Sequence, residues 1–174
     1  MPPNRKDLLK GFITALLVVA ICAWAFFVNA CTPRPPDPVS TGVVIPSKDL
    51  PGIKGDTAYG QVNSAWLHGF YARWHHDLFE KGVTKWEERF DCNRFASHYQ
   101  AAAQIEYYVD NFHSWTPGRA LALAEVWYKP DRSATGHAIV EAYTENGAVY
   151  IEPQTGRIFQ LTAAEKASVY FRRF

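Results

Sequence analysis

One long stretch without helix breakers constrains the fold more than any other part of the sequence. The residues from Cys92 to Phe112 include neither proline nor glycine and are rich in alanine and glutamine, which favour helices. Asp91 precedes this stretch, and aspartate is a preferred residue at a helix N-cap. We therefore predict a long helix with Cys92 in its first turn.

Short strand-like segments follow the predicted helix. They are separated by turn signals, of which Glu145-Asn146-Gly147 indicates a hairpin. The segments cover residues 121–128, 136–144, 148–152 and 157–161. Upstream, Val62 to Lys81 carries apolar residues at every fourth position, which predicts an amphipathic helix. This order predicts an α+β domain in which the helix that begins at Cys92 packs on an antiparallel sheet.

The N-terminal region is unlike the rest of the chain. Phe12 to Val28 has no charged residue and follows Arg5, Lys6 and Lys10. The run is just long enough to span a bilayer. The basic residues before it predict a membrane anchor with the domain outside the cytoplasm, on the periplasmic or extracellular side. A cleaved secretory signal and a lipoprotein modified at Cys31 are the alternatives.

Composition predicts three regions and excludes one class of partner. Residues 32–60 contain six prolines, which predicts a semi-extended linker. We therefore predict an anchor or signal over residues 1–31, a linker over 32–60 and a folded domain over 61–174. The formal net charge of +1 offers no basic surface for nucleic acid. We also expect no cofactor.

The folded region contains one cysteine, because Cys22 and Cys31 precede it. A helix N-terminus favours the thiolate of Cys92 through unpaired backbone N–H groups and the helix dipole. A histidine within hydrogen-bond reach would complete an ion pair, and His137 at the start of a predicted strand is the candidate. The alternative is a buried thiol and a structural histidine.

The histidine-rich part of the first predicted helix does not indicate a metal site. His75, His76 and Asp77 are consecutive. Adjacent residues on a helix point in different directions, so these side chains cannot converge on one ion by themselves.

Three segments, taken together, resemble the transglutaminase-like branch of the papain-like cysteine enzymes. Phe90 to Ala96 is similar to the nucleophile segment of that family, and His137 to Tyr143 is similar to its histidine strand. Ile151-Glu152-Pro153 is similar to the acid-proline pair that follows the histidine about fifteen residues later. The resemblance implies a papain-like or transglutaminase-like core.

The resemblance also implies roles for three residues. Cys92 would be the nucleophile, His137 the base and then the acid, and Glu152 the group that orients the imidazole. The family usually has aspartate in the place of Glu152. It often has acidic residues after the cysteine, where this chain has Asn93 and Arg94.

The identity of the acid depends on the register of one hairpin. A tight turn at Asn146-Gly147 places Glu152 opposite Glu141, and like charges across a strand pair are unfavourable. A turn centred about two residues earlier brings Glu152 beside His137. Glu141 is therefore the alternative acid.

These residues predict a thiol hydrolase or acyltransferase that acts on an amide or ester bond through an acyl-enzyme. Its partner would be a peptide or another amide-containing substrate. The second donor of an oxyanion hole stays open among Gln61, Trp86 and Gln154. The alternative function is a catalytically silent fold of the same type that serves as a binding or structural module of an envelope or virion.

Overall fold

The computed structural model describes residues 37–111 and 120–174. The helices of this part are α1 (Ser64–Glu80), α2 (Cys92–Asn111) and α3 (Ala163–Ala167), with a 3₁₀ turn at Ser47–Asp49. The strands are β1 (Ser40–Pro46), β2 (Ala58–Val62), β3 (Ala120–Leu121), β4 (Leu123–Tyr128), β5 (His137–Thr144), β6 (Gly147–Glu152), β7 (Arg157–Phe159) and β8 (Phe171–Arg173).

Helix α1 forms because its N-terminus is capped and one of its faces is apolar. The side chain of Asn63 accepts a hydrogen bond from the Ala65 N–H at 3.0 Å. The apolar stripe is buried and packs on α2, where the ring of Phe70 meets the ring of Tyr99 edge-on at 4.9 Å. The helix therefore covers the one that carries Cys92.

Helix α2 begins where the sequence predicts. The Asp91 carboxylate accepts a hydrogen bond from the Arg94 N–H at 3.3 Å, which is N-cap geometry. One face of the helix is buried against the sheet and α1, with Phe95 and Tyr99 among its residues. The prediction of Cys92 in the first turn is confirmed.

The sheet contains antiparallel and parallel pairs. Strands β7, β6, β5, β4 and β8 are neighbours in that order, and all of these pairs are antiparallel. Strand β2 runs parallel to β3 and also to β5, where Val62 pairs with Thr144, while β1 pairs with β2 antiparallel. The four strands predicted after α2 therefore pair antiparallel as expected, and the parallel pairs of β2 were not predicted. Pairing between segments that are distant in sequence leaves no local pattern to detect.

The stretch with six prolines contributes to the sheet. It supplies β1 and most of β2, and its residues Leu50 and Tyr59 are buried. Pro36–Phe174 forms one compact unit. Among residues 37–111 and 120–174, none of the helices has the length and apolar character needed to cross a membrane. Phe12 to Val28 and Cys31 lie outside the described residues, so the location outside the cytoplasm stays a prediction.

Apolar side chains lie on both faces of the sheet because strand residues alternate between them. The larger cluster, which includes Val140 and Ile151, packs with α1 and α2. The smaller cluster, which includes Ile139 and Tyr150, lies on the other face with Leu161. Helix α2 packs on β5 at the larger cluster, and the candidate site lies at the end of β5 where the start of this helix comes close to it.

Two buried carboxylates are paired with arginines of β8. Glu141 accepts hydrogen bonds from Arg172 Nε at 2.6 Å and from the Tyr150 hydroxyl at 2.7 Å. Glu125 accepts from Arg173 at 2.8 Å. Burying a carboxylate without such partners is very unfavourable, so β8 compensates the charges of β4 and β5.

Candidate functional site

The candidate site lies where the start of α2 meets the start of β5. Cys92 is half-buried, and it is a free cysteine among the described residues. The Cys92 thiol lies beside the imidazole of His137 and the backbone N–H of Ala138, both of which lower its pKa, and it donates a hydrogen bond to Asn93 Oδ1 at 3.7 Å. Because His137 is the first residue of β5, its ring can reach beyond the strand toward the helix.

The imidazole is held between a thiol and a carboxylate. His137 Nε2 lies 2.5 Å from Glu152 Oε2. The other ring nitrogen is therefore the one available to Cys92. The side chains of His137 and Glu152 are 26% and 16% exposed, so solvent reaches the pair only in part. The structure thus brings together the three residues that the sequence predicts as a site, in the order thiol, imidazole, carboxylate.

The hairpin register explains how the carboxylate reaches the ring. Thr144 pairs with Gly147 and Val140 pairs with Ile151, so the loop is one residue earlier than the tightest Asn-Gly turn. The same register, extended by one residue, sets Glu152 opposite residue 139, two residues along the strand from His137. Diagonal neighbours on one sheet face are within reach of long side chains. Moving the turn one residue earlier is therefore enough to bring the Glu152 carboxylate to the His137 ring.

The hydrogen-bonded pair favours its charged form. The hydrogen bond from His137 is the main reason that the pKa of Cys92 lies below its ordinary value, and the Ala138 N–H adds to the effect. Burial and the negative charge of Asp91 oppose it. Hydrogen bonds to Cys92 and Glu152 raise the pKa of His137 to about 9. Both shifts favour the thiolate form of Cys92 and the imidazolium form of His137.

The alternative acid has a different role. Glu141 lies opposite Tyr150 on the neighbouring strand and is bonded to the Tyr150 hydroxyl and to Arg172. These contacts engage both of its carboxylate oxygens. Glu141 is therefore a buried structural carboxylate in this fold.

The three candidate oxyanion donors lie in different settings. Gln61 bonds to Thr41 and to the carbonyl of Thr144. Trp86 is exposed in the loop before α2. The Gln154 N–H donates to Glu152 Oε1 at 3.2 Å and is therefore engaged by the site's own carboxylate.

The histidine-rich part of α1 does not form a metal cluster. Within the part of the chain that the structure describes, histidine, cysteine and acidic side chains do not gather in a group of three that could hold a metal ion. His75 instead packs on the ring of Tyr71 at 5.4 Å.

Sequence reasoning missed two groups of the site. The Ala138 N–H reaches the Cys92 sulfur, and the ring of Tyr128 lies 6.1 Å from the ring of His137. Tyr128 pairs with His137 across β4 and β5. Predicting that Tyr128 lies beside His137 would have required the register of β4 against β5, which the local sequence pattern does not define.

The geometry permits specific chemistry. A thiolate is the nucleophilic form of cysteine, and an imidazolium beside it can donate a proton or a hydrogen bond. The same groups can also bind a polar ligand without reacting, because the sulfur and the carboxylate accept hydrogen bonds and the imidazolium donates them. The choice between reaction and binding depends on what reaches the site.

The solved structures that resemble this chain include a lectin. One is described as "Crystal Structure Analysis of Polyporus squamosus lectin bound to human-type influenza-binding epitope Neu5Aca2-6Galb1-4GlcNAc". It matches with a TM-score of 0.53 and 18% identity, over 71% of this chain and 42% of that chain. A second, described as "PSL1a-E64 complex", has a TM-score of 0.52 and 21% identity, over 73% and 43% of the two chains.

The extent of these matches limits what they show. This chain spans less than half the length of each of these chains. At these identities the likeness concerns the fold. No family model and no curated protein sequence matches the chain.

The comparison corrects two predictions. The fold is a sheet-rich, mixed α+β fold that resembles part of a lectin chain, so the predicted papain-like or transglutaminase-like core is wrong. The prediction of a thiol hydrolase or thiol protease is wrong as well, since it rested on that core. The physical reason is that a thiol, an imidazole and a carboxylate side by side do not by themselves establish turnover.

Proposed function

We propose that Pro36–Phe174 is a non-catalytic binding module whose ligand carries carbohydrate. The observation that carries this proposal is the likeness of the fold to a lectin chain described as bound to a sialylated trisaccharide. The likeness of the fold suggests the class of ligand. The polar groups of the candidate site would provide the hydrogen bonds that hold it.

The groups at the site suit a ligand rich in hydroxyls. A sugar hydroxyl both donates and accepts hydrogen bonds. The Cys92 thiolate and the Glu152 carboxylate would accept from such groups, and the His137 imidazolium would donate to them. A small number of placed polar groups is typical of small-ligand sites. Partial exposure of His137 and Glu152 leaves them accessible to a ligand from solution.

Binding without chemistry can be tested directly. We would measure the binding of the full chain to a panel of sialylated and neutral oligosaccharides, and analyse each mixture for products by mass spectrometry. Cys92→Ser removes the strong nucleophile and keeps a small polar group. We expect wild type and this variant to bind the same oligosaccharides and to leave them intact.

Carboxylate variants provide the matched control. Glu152→Ala removes a charge-assisted hydrogen-bond acceptor, worth about 1.5–3 kcal/mol, so we expect at least about tenfold weaker binding. Glu145→Ala removes an exposed carboxylate in the loop at the other end of β5, where it bonds to Ser64, and should leave binding unchanged. Absence of binding to the whole panel would refute the proposal. Cleavage of an oligosaccharide or peptide by wild type, lost in Cys92→Ser, would also refute it.

A further inference from the structure

An exposed aromatic ring lies against the residue that precedes His137. Tyr170 is 63% exposed, and its backbone N–H donates to the Trp127 carbonyl at 3.1 Å, which fixes the ring next to β4. The hydroxyl end of this ring lies over Gly136, the residue before His137. A Cβ at Gly136 would overlap the Tyr170 hydroxyl, so the glycine makes room for the ring.

A second aromatic ring has the same relation to the carboxylate. Tyr71 of α1 lies over Gly156, where a Cβ would come within 2.7 Å of Tyr71 Cζ. The Gly156 N–H donates to the Glu152 carbonyl at 2.8 Å, which holds this glycine at the end of β6. The Tyr71 hydroxyl in turn donates to the Gln154 carbonyl at 3.4 Å. Gly136 precedes His137, and Gly156 is bonded to the Glu152 carbonyl. A tyrosine ring therefore lies over a glycine near each member of the His137–Glu152 pair.

A binding site with this composition suits a particular ligand shape. Aromatic rings offer a large apolar face at low cost in conformational entropy. The Cys92 thiol, the His137 imidazole and the Glu152 carboxylate offer hydrogen bonds. A pyranose has both features, because its C–H groups form an apolar face and its hydroxyls lie at the edge.

We infer that Tyr170 and Tyr71 form an aromatic rim that holds the ring of a ligand beside Cys92, His137 and Glu152. The assignment of a sugar as that ring rests on the proposed function. The rim itself rests on the contacts of the two tyrosines with Gly136 and Gly156.

Tyr170 allows the sharpest test because it is exposed and its removal leaves the core intact. Tyr170→Ala should weaken oligosaccharide binding about 3- to 10-fold, the range expected for loss of one aromatic contact. Tyr170→Phe keeps the ring and should bind like wild type. Ile105→Ala is the control, since Ile105 is exposed on α2 and lies about 20 Å along the helix from Cys92.

The seat of the ring can be tested without removing the ring. Gly136→Ala should displace the Tyr170 hydroxyl and weaken binding as much as Tyr170→Ala does. The double variant Gly136→Ala/Tyr170→Phe lacks that hydroxyl and should recover binding. A double variant that stays weak would assign the loss to His137 and its backbone, and would overturn the role of the Tyr170 ring.

A second measurement separates the rim from the sugar. We would compare the rates at which N-benzylmaleimide and N-methylmaleimide alkylate Cys92, read on the Cys92 peptide by mass spectrometry. The ratio of the two rates should be about 3- to 10-fold higher in wild type than in Tyr170→Ala, because the rim holds the benzyl ring. Equal ratios in wild type and Tyr170→Ala would show that the Tyr170 ring does not hold the benzyl ring, and would refute the aromatic rim. If wild type binds no oligosaccharide but the ratios differ, the proposed function fails and the rim stands.

Discussion

The charge of Cys92 depends on one neighbour, and replacing that neighbour gives a quantitative prediction. His137→Ala removes the hydrogen bond that contributes most to lowering the Cys92 pKa, and removes the positive charge beside the sulfur. The remaining influences are the Ala138 N–H, which favours the thiolate, and burial and Asp91, which oppose it. We therefore expect the Cys92 pKa of the variant to rise to that of an ordinary thiol or above.

The size of the effect follows from the thiolate population. A thiol with a pKa of about 8.5 is roughly 3% ionised at pH 7, so loss of the pair lowers the thiolate population by up to about 30-fold. For each unit by which the pH is lowered, the upper limit on the ratio of thiolate in wild type to thiolate in the variant rises about tenfold, as long as Cys92 of the wild type remains ionised. The thiolate of a less acidic thiol is the stronger nucleophile, so the alkylation rate falls by less than the thiolate population does. The pH of half-maximal reaction is therefore the quantity to compare.

The assay is alkylation of Cys92 by iodoacetamide between pH 4 and 10, followed on the Cys92 peptide. Wild type should reach half-maximal rate at a lower pH than His137→Ala, whose midpoint should lie near or above about 8.5. His98→Ala is the control: His98 is a half-buried histidine of the same helix, and its ring bonds to Trp74. Its midpoint should match wild type. Identical midpoints for wild type and His137→Ala would refute the ion pair.

Three further predictions concern stability, each measured by urea denaturation. Arg172→Met leaves Glu141 buried with only the Tyr150 hydroxyl, and should lower the free energy of unfolding by about 3 kcal/mol; a change below about 1 kcal/mol would contradict this role of β8. Tyr99→Phe should raise that free energy by about 1 kcal/mol, since the Tyr99 hydroxyl is buried without a hydrogen-bond partner in the structure. Cys92→Ser keeps only the Glu152 hydrogen bond that raises the His137 pKa, so its stability should fall as pH rises above about 6.5, whereas in wild type the lowered pKa of Cys92 offsets part of that fall below about pH 8.5.

The sign of the last prediction follows from two opposite linkages. The raised pKa of His137 gives stability that is complete below about 6.5 and is lost as pH rises through about 9. The lowered pKa of Cys92 gives stability that is complete above its unfolded value of about 8.5 and is lost as pH falls through its folded value. In wild type the two effects offset each other between the folded pKa of Cys92 and about pH 8.5. Serine does not titrate, while Glu152 still raises the His137 pKa, so the decline appears in the variant.

Local rules were sufficient for the helix that carries the thiol. Asp91 as N-cap and the absence of proline and glycine after it predicted a helix beginning at Cys92, and the structure has that start. Such signals work because capping and helix propensity act within one or two turns.

Long-range pairing was not accessible in the same way. Proline and glycine in residues 32–60 predicted a linker, yet β1 forms there as an edge strand that ends at Pro46, a position where a strand tolerates proline. β8 has three residues and no periodic pattern, so its pairing with β4 could not be predicted.

The site was predictable only in part for a related reason. Cys92 and His137 could be paired from local setting, but the contact of Glu152 depended on a register that differs by one residue from the tightest turn. Gly147, with φ of 95°, lies after the two loop residues and not within them. Fold class and function could not be derived from the three residues, since the same thiol and imidazole are compatible with reaction and with binding.

Helix α2 also separates two ends of the molecule. The Val39 N–H donates to Asp110 near the C-terminal end of the helix, and Cys92 is at the other end. Eighteen residues of helix correspond to roughly 27 Å. A chain attached to a sensor surface through a residue near Val39 is therefore held at a point far from Cys92, and an affinity measured in that format should equal the affinity measured free in solution.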